Sequence, residues 1–193
     1  MDPRVRRTRK LLQDALRSLL FERRFSRISV QDIAERATVN RATFYAHYED
    51  KHGLAADVLK TDLRTAVIQR FTERPTLTYE NLVELAVAVF GFLGDMSAAC
   101  PETAAELQDT VGTTVQEALY EITSEWLSDS ATHQRLFPGC AKETVATVLS
   151  WSIYGGAQHW SRSDRRIPAA KMCREIISIL LPPSKAQVLT SED

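Results

Sequence analysis

The sequence predicts an all-α fold of about nine helices, and three observations lead there. Apolar residues recur at three- and four-residue spacing along most of the chain, the period of helices with one buried face. Seven glycines and seven prolines in 193 residues leave little material for the many turns of an all-β chain. No stretch alternates apolar and polar residues in a way that reads as a convincing strand.

The elements follow in order. Residues 8–22 place Leu12, Ala15, Leu16, Leu19 and Leu20 on one stripe, with Arg and Lys opposite, and a basic break runs from Arg23 to Arg27. Ser29 is a candidate N-cap, with Asp32 three residues on in a capping-box arrangement, so VQDIAERA reads as a short helix with Val30, Ile33, Ala34 and Ala37 inward. Thr38 and Val39 form a tight turn. Asn40 then caps a second short helix, RATFYAHY, and Asp50 caps a long one from Lys51 to about Phe71. Helical patterns continue over about 79–96, over PETAAELQDT and TTVQEALYEITSEWLSD with Gly112 between them, over about 143–164, and over 168–181 after Pro168. HQRLFPG reads as a loop, and the final PPSKAQVLTSED as a frayed tail. The expected domains are 1–52, 53–181 and a tail, 182–193.

Composition narrows the function. Hydrophobic residues at 44% and charged residues at 25% are globular values. No run approaches the ~20 apolar residues that span a bilayer, and the basic N-terminus leads into a mixed stretch without a signal-peptide core, so a cytoplasmic protein without membrane contact is expected. Cys100, Cys140 and Cys173 are far apart and lack CxxC spacing, which reads as reduced and mostly buried thiols. HExxH, GxSxG, P-loop and GxGxxG patterns are missing and no metal-ligand spacing is present. The expectation is therefore neither enzyme, metal site nor cofactor. The formal net charge of −1 hides an asymmetry: residues 1–60 hold 13 Lys/Arg against 8 Asp/Glu, and the remainder 11 against 17. A basic front and an acidic remainder point to a polyanion met by the front alone.

Two short capped helices joined by a tight turn, with small residues where their axes cross, describe a helix-turn-helix. The outward residues of its second helix are Arg41, Ala42, Thr43, Tyr45 and His47, none of them acidic. Such a face can enter the major groove of double-stranded DNA. Arg41 suits a bidentate contact to guanine, Thr43 a polar contact or a thymine methyl, and Ala42 a thymine methyl. Tyr45, His47 and Lys51 are placed for phosphates. Phe44 and Tyr48 read better as core.

The stretch ISVQDIAERATVNRATFYAHYEDKHGLAADVL resembles the DNA-binding signature of the tetracycline-repressor (TetR) family. The likeness covers roughly residues 8–58 and rests on the IA pair, Val39, the FY pair at 44–45, His47, the aromatic at 48, Lys51 and Leu54. It implies base contacts from Gln31, Arg41, Ala42 and Thr43 and phosphate contacts from Tyr45, His47 and Lys51. It further implies a bacterial homodimeric repressor, released from a near-palindromic operator by a small-molecule effector, with a helical sensor behind the reader. One position departs. The family usually has Gly where this chain has Thr38, and a β-branched residue in left-handed backbone costs about 1 kcal/mol.

Beyond the motif the residues leave alternatives open. Trp151, Tyr154 and Gln158 share a helix face, and Phe90, Met96, Tyr120 and Trp126 come from other helices; together they read as an apolar pocket for a lipophilic effector or as plain core. Gly155 and Gly156, in mid-helix, call for close helix packing, either across a dimer interface or within one chain. A DNA-binding regulator or architectural factor governed by a protein partner, without a small ligand, fits the same residues.

Overall fold

In the computed structural model, which describes residues 2–73, 75–99 and 101–181, local capping explains where each early helix begins. Helix α1 (Pro3–Glu22) starts earlier than its apolar stripe: the Asp2 carboxylate accepts from the Arg4 N–H at 2.8 Å, and Pro3 supplies a preset φ in the first turn. Leu12, Ala15, Leu16 and Leu19 are its buried face. The basic break contains a 3-10 turn, Phe25–Arg27, with Phe25 inward. Ser29 and Asp32 form both halves of a capping box at the start of α2 (Val30–Arg36). Asn40 caps α3 (Arg41–Tyr45) by accepting from the Thr43 N–H at 2.7 Å. The Asp50 carboxylate accepts from the Gly53 N–H at 2.8 Å in the first turn of α4 (Lys51–Ile68).

The remaining elements are α5 (Tyr79–Ala99), α6 (Pro101–Glu106), α7 (Gln108–Trp126), α8 (Ser130–Leu136), α9 (Lys142–Arg162) and α10 (Ala169–Leu180). Ten α-helices and no strand occur among the described residues. The additional helix is α8, where the sequence pattern reads as a loop. Asp129 starts it by accepting from the N–H groups of Ala131 and Thr132 at 3.2 and 3.4 Å, and Leu136 is buried. Pro138 and Gly139, the latter at φ 77°, follow its end. The break expected at Gly112 lies instead at Leu107, and Gly112 is inside α7.

The chain divides into two compact units, Met1–Asp62 with Cys100–Thr114 and Leu63–Ala99 with Val115–Asp193. The first unit extends ten residues beyond the boundary expected at 52, because the early turns of α4 are tied to α1: Arg9 meets Asp57 at 2.9 Å and Arg17 meets Asp62 at 2.6 Å. The expected tail, 182–193, lies outside the described residues.

The second unit is built on α5, which packs against α9 and α10 and buries Leu82, Leu85, Ala86, Val89, Phe90 and Leu93. Contrary to the sequence expectation, α5 is long and apolar enough by length and composition to cross a membrane, with a mean hydropathy of 1.7 over its best window. Half of that window is buried inside the protein, as in a central core helix. Cys173 on α10 is fully buried, and burial pushes its thiol up to about 12; Cys140 is exposed, against expectation, and Cys100 lies outside the described residues.

Candidate nucleic-acid interface and effector cavity

The turn between α2 and α3 shows how the sequence aims the second helix. The N–H of Val39 donates to the Ala34 carbonyl at 2.9 Å and that of Thr38 to the Glu35 carbonyl at 3.0 Å. This pair is a Schellman motif, which requires left-handed backbone at the intervening residue, and Thr38 sits at φ 57°. The departure from Gly is therefore real strain, of about 1 kcal/mol. Ile33, Ala34 and Phe44 are at most 1% exposed and fill the wedge between the two helices. Ala34 is small where the axes approach.

On the outer side of α3, Arg41 and Ala42 are exposed and Tyr45 is 50% exposed. The Arg41 guanidinium lies 5.9 Å from the centre of the Tyr45 ring. Thr43 is half-buried, its hydroxyl donating to the Asn40 side chain at 3.0 Å. His47, in the turn after α3, is half-buried, and Gln31 is exposed on α2, donating to Glu35 at 2.5 Å. Gln31, Arg41, Ala42, Thr43, Tyr45 and His47 thus all keep some surface within one small motif.

Lys51 is placed differently. Its ammonium donates to the carbonyls of Phe25 at 2.9 Å, Ile28 at 2.8 Å and Ser26 at 3.4 Å, and lies 4.5 Å from the Phe25 ring centre. All three of its N–H groups are engaged in holding the 3-10 turn against the start of α4. The same turn is held from the other side by α6. Glu106 accepts from the Ser26 N–H and hydroxyl at 2.8 and 2.7 Å, and Glu102 pairs with Arg24. The hydroxyl and N–H of Ser26 hold the Glu106 carboxyl below the usual range.

A second cluster stiffens the reader from behind. Tyr48 donates to Asp57, Gln13 donates to Asp57 at 2.8 Å, and Arg9 donates to both the Tyr48 oxygen, at 3.2 Å, and Asp57. Burial and the bond to Asp57 push the Tyr48 phenol up to about 12. Burial raises the Asp57 carboxyl, but the Tyr48, Gln13 and Arg9 donors outweigh it and leave the carboxyl below its usual range. Nothing in local spacing marks these four residues as a group, because they come from α1, the turn after α3, and α4.

In the second unit the expected pocket residues have different surroundings among the described residues. Phe90 is fully buried against Trp160, with ring centres 5.7 Å apart. Met96 lines an open groove between α4 and α5. Trp151 is 55% exposed on α9, and Tyr154, buried beside it, accepts from Gln158 at 2.7 Å. Tyr120 is half-buried on α7. Trp126 alone of the seven lines a different cavity of about 400 Å³, between the last turns of α4 and α7 and walled also by Val67, Ile68 and Phe71. The two glycines also part company. A Cβ on Gly156 would meet Ile176 Cδ1 at 2.3 Å and Phe90 Cζ at 3.3 Å, so its close packing is within the chain, whereas a Cβ on Gly155 would meet nothing within 4 Å.

Comparison with known proteins agrees with this geometry. Residues 12–58 match the family described as bacterial regulatory proteins, tetR family. A curated relative, the uncharacterized HTH-type transcriptional regulator YxbF of Bacillus subtilis (strain 168), is 38% identical over 69 residues. That match covers 34% of this chain and only 18% of the relative. Among solved structures, the regulator FadR of Bacillus subtilis, in complex with stearoyl-CoA, aligns with a TM-score of 0.57 at 15% identity, over 90% of this chain and 97% of its own. FadR of Bacillus halodurans gives 0.56 at 15% identity over 94% and 96%, and a tetR-family regulator of Streptomyces coelicolor 0.54 at 18% over 96% and 85%. At these identities the structural likeness speaks for the fold alone, and it is the helix-turn-helix segment, residues 12–58, that matches the tetR family of bacterial regulatory proteins.

Proposed function

We propose that the protein is a homodimeric, sequence-specific DNA-binding regulator, acting as a repressor that a small-molecule effector releases from a near-palindromic operator. The observation that carries this reading is the outer face of α3: exposed, free of carboxylates, and set by the Asn40 cap and the Thr38 turn. In a major groove, Arg41 reads a guanine edge, Ala42 and Thr43 contact neighbouring bases, and Gln31 adds a contact by exchanging its bond to Glu35 for a base. Tyr45 and His47 take phosphates. Lys51 reaches a phosphate at the cost of at least one of its three carbonyl bonds, so its first effect is on the position of the reader.

Dimerisation is supported by the second unit. On α9, Val148 and Trp151 are 48% and 55% exposed and share a face with Gly155, and Ile179 on α10 is 79% exposed. Two such helices from each subunit make a four-helix interface. The effector occupies the cavity at Trp126 and Phe71, whose α4 wall belongs to the helix that runs on from the reader. An effector that favours one arrangement of α4 shifts the reader population by its differential affinity alone.

The test is selection of bound duplexes from a random pool, followed by a salt titration and sedimentation of the complex. A palindromic consensus bound by two chains, weakening steeply with salt, is expected. A non-palindromic consensus bound by one chain would overturn the dimeric reading, and no enrichment would overturn sequence-specific recognition.

A further inference from the structure

Within the first unit, charge is spread unevenly along α1. Residues 2–13 hold five cations, Arg4, Arg6, Arg7, Arg9 and Lys10, against one carboxylate, Asp2, which caps the helix by accepting from the Arg4 N–H at 2.8 Å. Farther along the unit, Arg17 meets Asp62, Arg23 meets Asp32, Arg24 meets Glu102 and Arg36 meets Glu22. Arg4, Arg6, Arg7 and Lys10 are exposed and form no ion pair among the described residues. They also stand in the first two turns of α1, at the positive end of its dipole, where cations weaken a helix. Four unpaired cations held where they oppose the helix answer to a polyanion and not to the fold.

Their place in the unit says which polyanion. Arg9, in the same two turns, donates to the Tyr48 hydroxyl at 3.2 Å and meets Asp57 at 2.9 Å, its guanidinium 5.3 Å from the Tyr48 ring centre. Tyr48 stands three residues after the end of α3 and packs against Phe44 of that helix, with ring centres 5.9 Å apart. The start of α1 is therefore tied to the far end of the reader helix, beside Tyr45 and His47. Arg6 lies three residues before Arg9 and four before Lys10, so the three are neighbours on the helix surface. From Arg4 to Lys10 the helix rises about 9 Å, against a phosphate every ~3.4 Å of duplex axis on each strand.

Resting on the reading of α3 as a DNA reader, we propose that the first two turns of α1 are a second DNA-contacting element. Arg4, Arg6, Arg7 and Lys10 take about two or three backbone phosphates and supply affinity without base preference. The Arg9 tie to Tyr48 and Asp57 makes α1 and α3 approach the duplex together.

Neutralising the cluster tests this. Arg4→Gln, Arg6→Gln, Arg7→Gln and Lys10→Gln are combined in the full chain, and binding to a labelled random-sequence duplex and to the selected preferred duplex is measured over a series of potassium chloride concentrations. The slope of log affinity against log salt should fall by about two to three per chain, and affinity at moderate salt by about tenfold or more, equally on both duplexes. Thermal unfolding should keep the parent midpoint or rise, because the helix loses like charges at its positive end. Arg4→Lys with Arg6→Lys and Arg7→Lys keeps the charge and should keep the slope. The same charge taken from exposed positions of the second unit, by Arg135→Gln, Arg162→Gln, Arg166→Gln and Lys171→Gln, should also leave the slope as in the parent. An unchanged slope in the α1 variant would overturn the contact and leave α3 standing as the reader. An equal fall in the α1 and second-unit variants would reduce the effect to net charge and overturn it too, and loss confined to the preferred duplex would overturn the phosphate role. A parent chain that binds neither duplex would overturn the DNA reading itself, and α1 with it.

Discussion

In the first unit, helices of five to twenty residues start and stop at side chains a few positions away; in the second, two helices of twenty-one residues are placed by partners scores of residues distant. The reader's caps, Ser29, Asn40 and Asp50, each act within three residues, and the Thr38 turn closes over five. In the second unit Phe90 on α5 meets Trp160 and Gly156 on α9, and the Arg165 guanidinium reaches from beyond α9 to the Gly94 carbonyl at 3.0 Å. Helix starts set by local chemistry keep their place through small changes elsewhere, and in the first unit ties such as Arg9 to Asp57 and Ser26 to Glu106 then fix the helices against one another. A region governed by distant packing can exchange one arrangement for another, which suits the effector role proposed for the second unit.

The sharpest way to break this contrast is to empty the distant packing. Phe90→Ala removes a fully buried ring and should cost about 3–5 kcal/mol in urea or thermal unfolding. The parent preference for one duplex over another should remain in the fraction still folded. Lost base preference in that folded fraction would show that the reader depends on the second unit for its shape.

The converse change touches recognition and leaves stability alone. Arg41→Ala removes an exposed side chain whose partner in the free protein is Tyr45. It should cost about 1–3 kcal/mol on the preferred duplex and relax selection at one position per half-site, with an unchanged unfolding midpoint. Equal loss on preferred and random duplexes would make Arg41 a phosphate contact.

The same contrast explains what could be read from the sequence. Ser29 with Asp32, the Asn40 cap, Ala34 and the outward Arg41 all follow from spacings of four residues or fewer, and the structure places each as its spacing implies. The cavity was not legible. Its walls, around Ile68 and Trp126, lie more than fifty residues apart, and aromatic residues that share helical spacing, such as Trp151 and Tyr154, turn out to lie on opposite sides of burial. Helix α8 gives little signal in the sequence, because a single good cap, Asp129, begins an element with one buried leucine and little periodicity. Gly156 was legible as a close approach, but its partners, Ile176 and Phe90, needed the fold.

Within the reader, the turn can be sharpened. Thr38→Gly relieves a β-branched residue at φ 57°, and the gain exceeds the entropy that a glycine adds to the unfolded chain. Stability should rise by at most about 0.5 kcal/mol by thermal unfolding, with the duplex preference unchanged. A loss of stability would mean that the hydroxyl or methyl of Thr38 holds the turn in some other way.

A comparably small effect separates the two glycines of α9. Gly155 faces open space in the single chain, so Gly155→Ala adds helix propensity without a clash and should stabilise an isolated subunit by about 0.5–1 kcal/mol. Gly156→Ala places its methyl against Ile176 and Phe90, and should gain nothing or lose stability. Dimerisation through this face makes the two readouts diverge. Sedimentation should then show Gly155→Ala weakening self-association even as urea unfolding at subunit concentrations shows the helix strengthened. If Gly155→Ala changes neither association nor its salt dependence, the α9 face around Trp151 is not where a second copy docks, and its exposed apolar residues need another occupant.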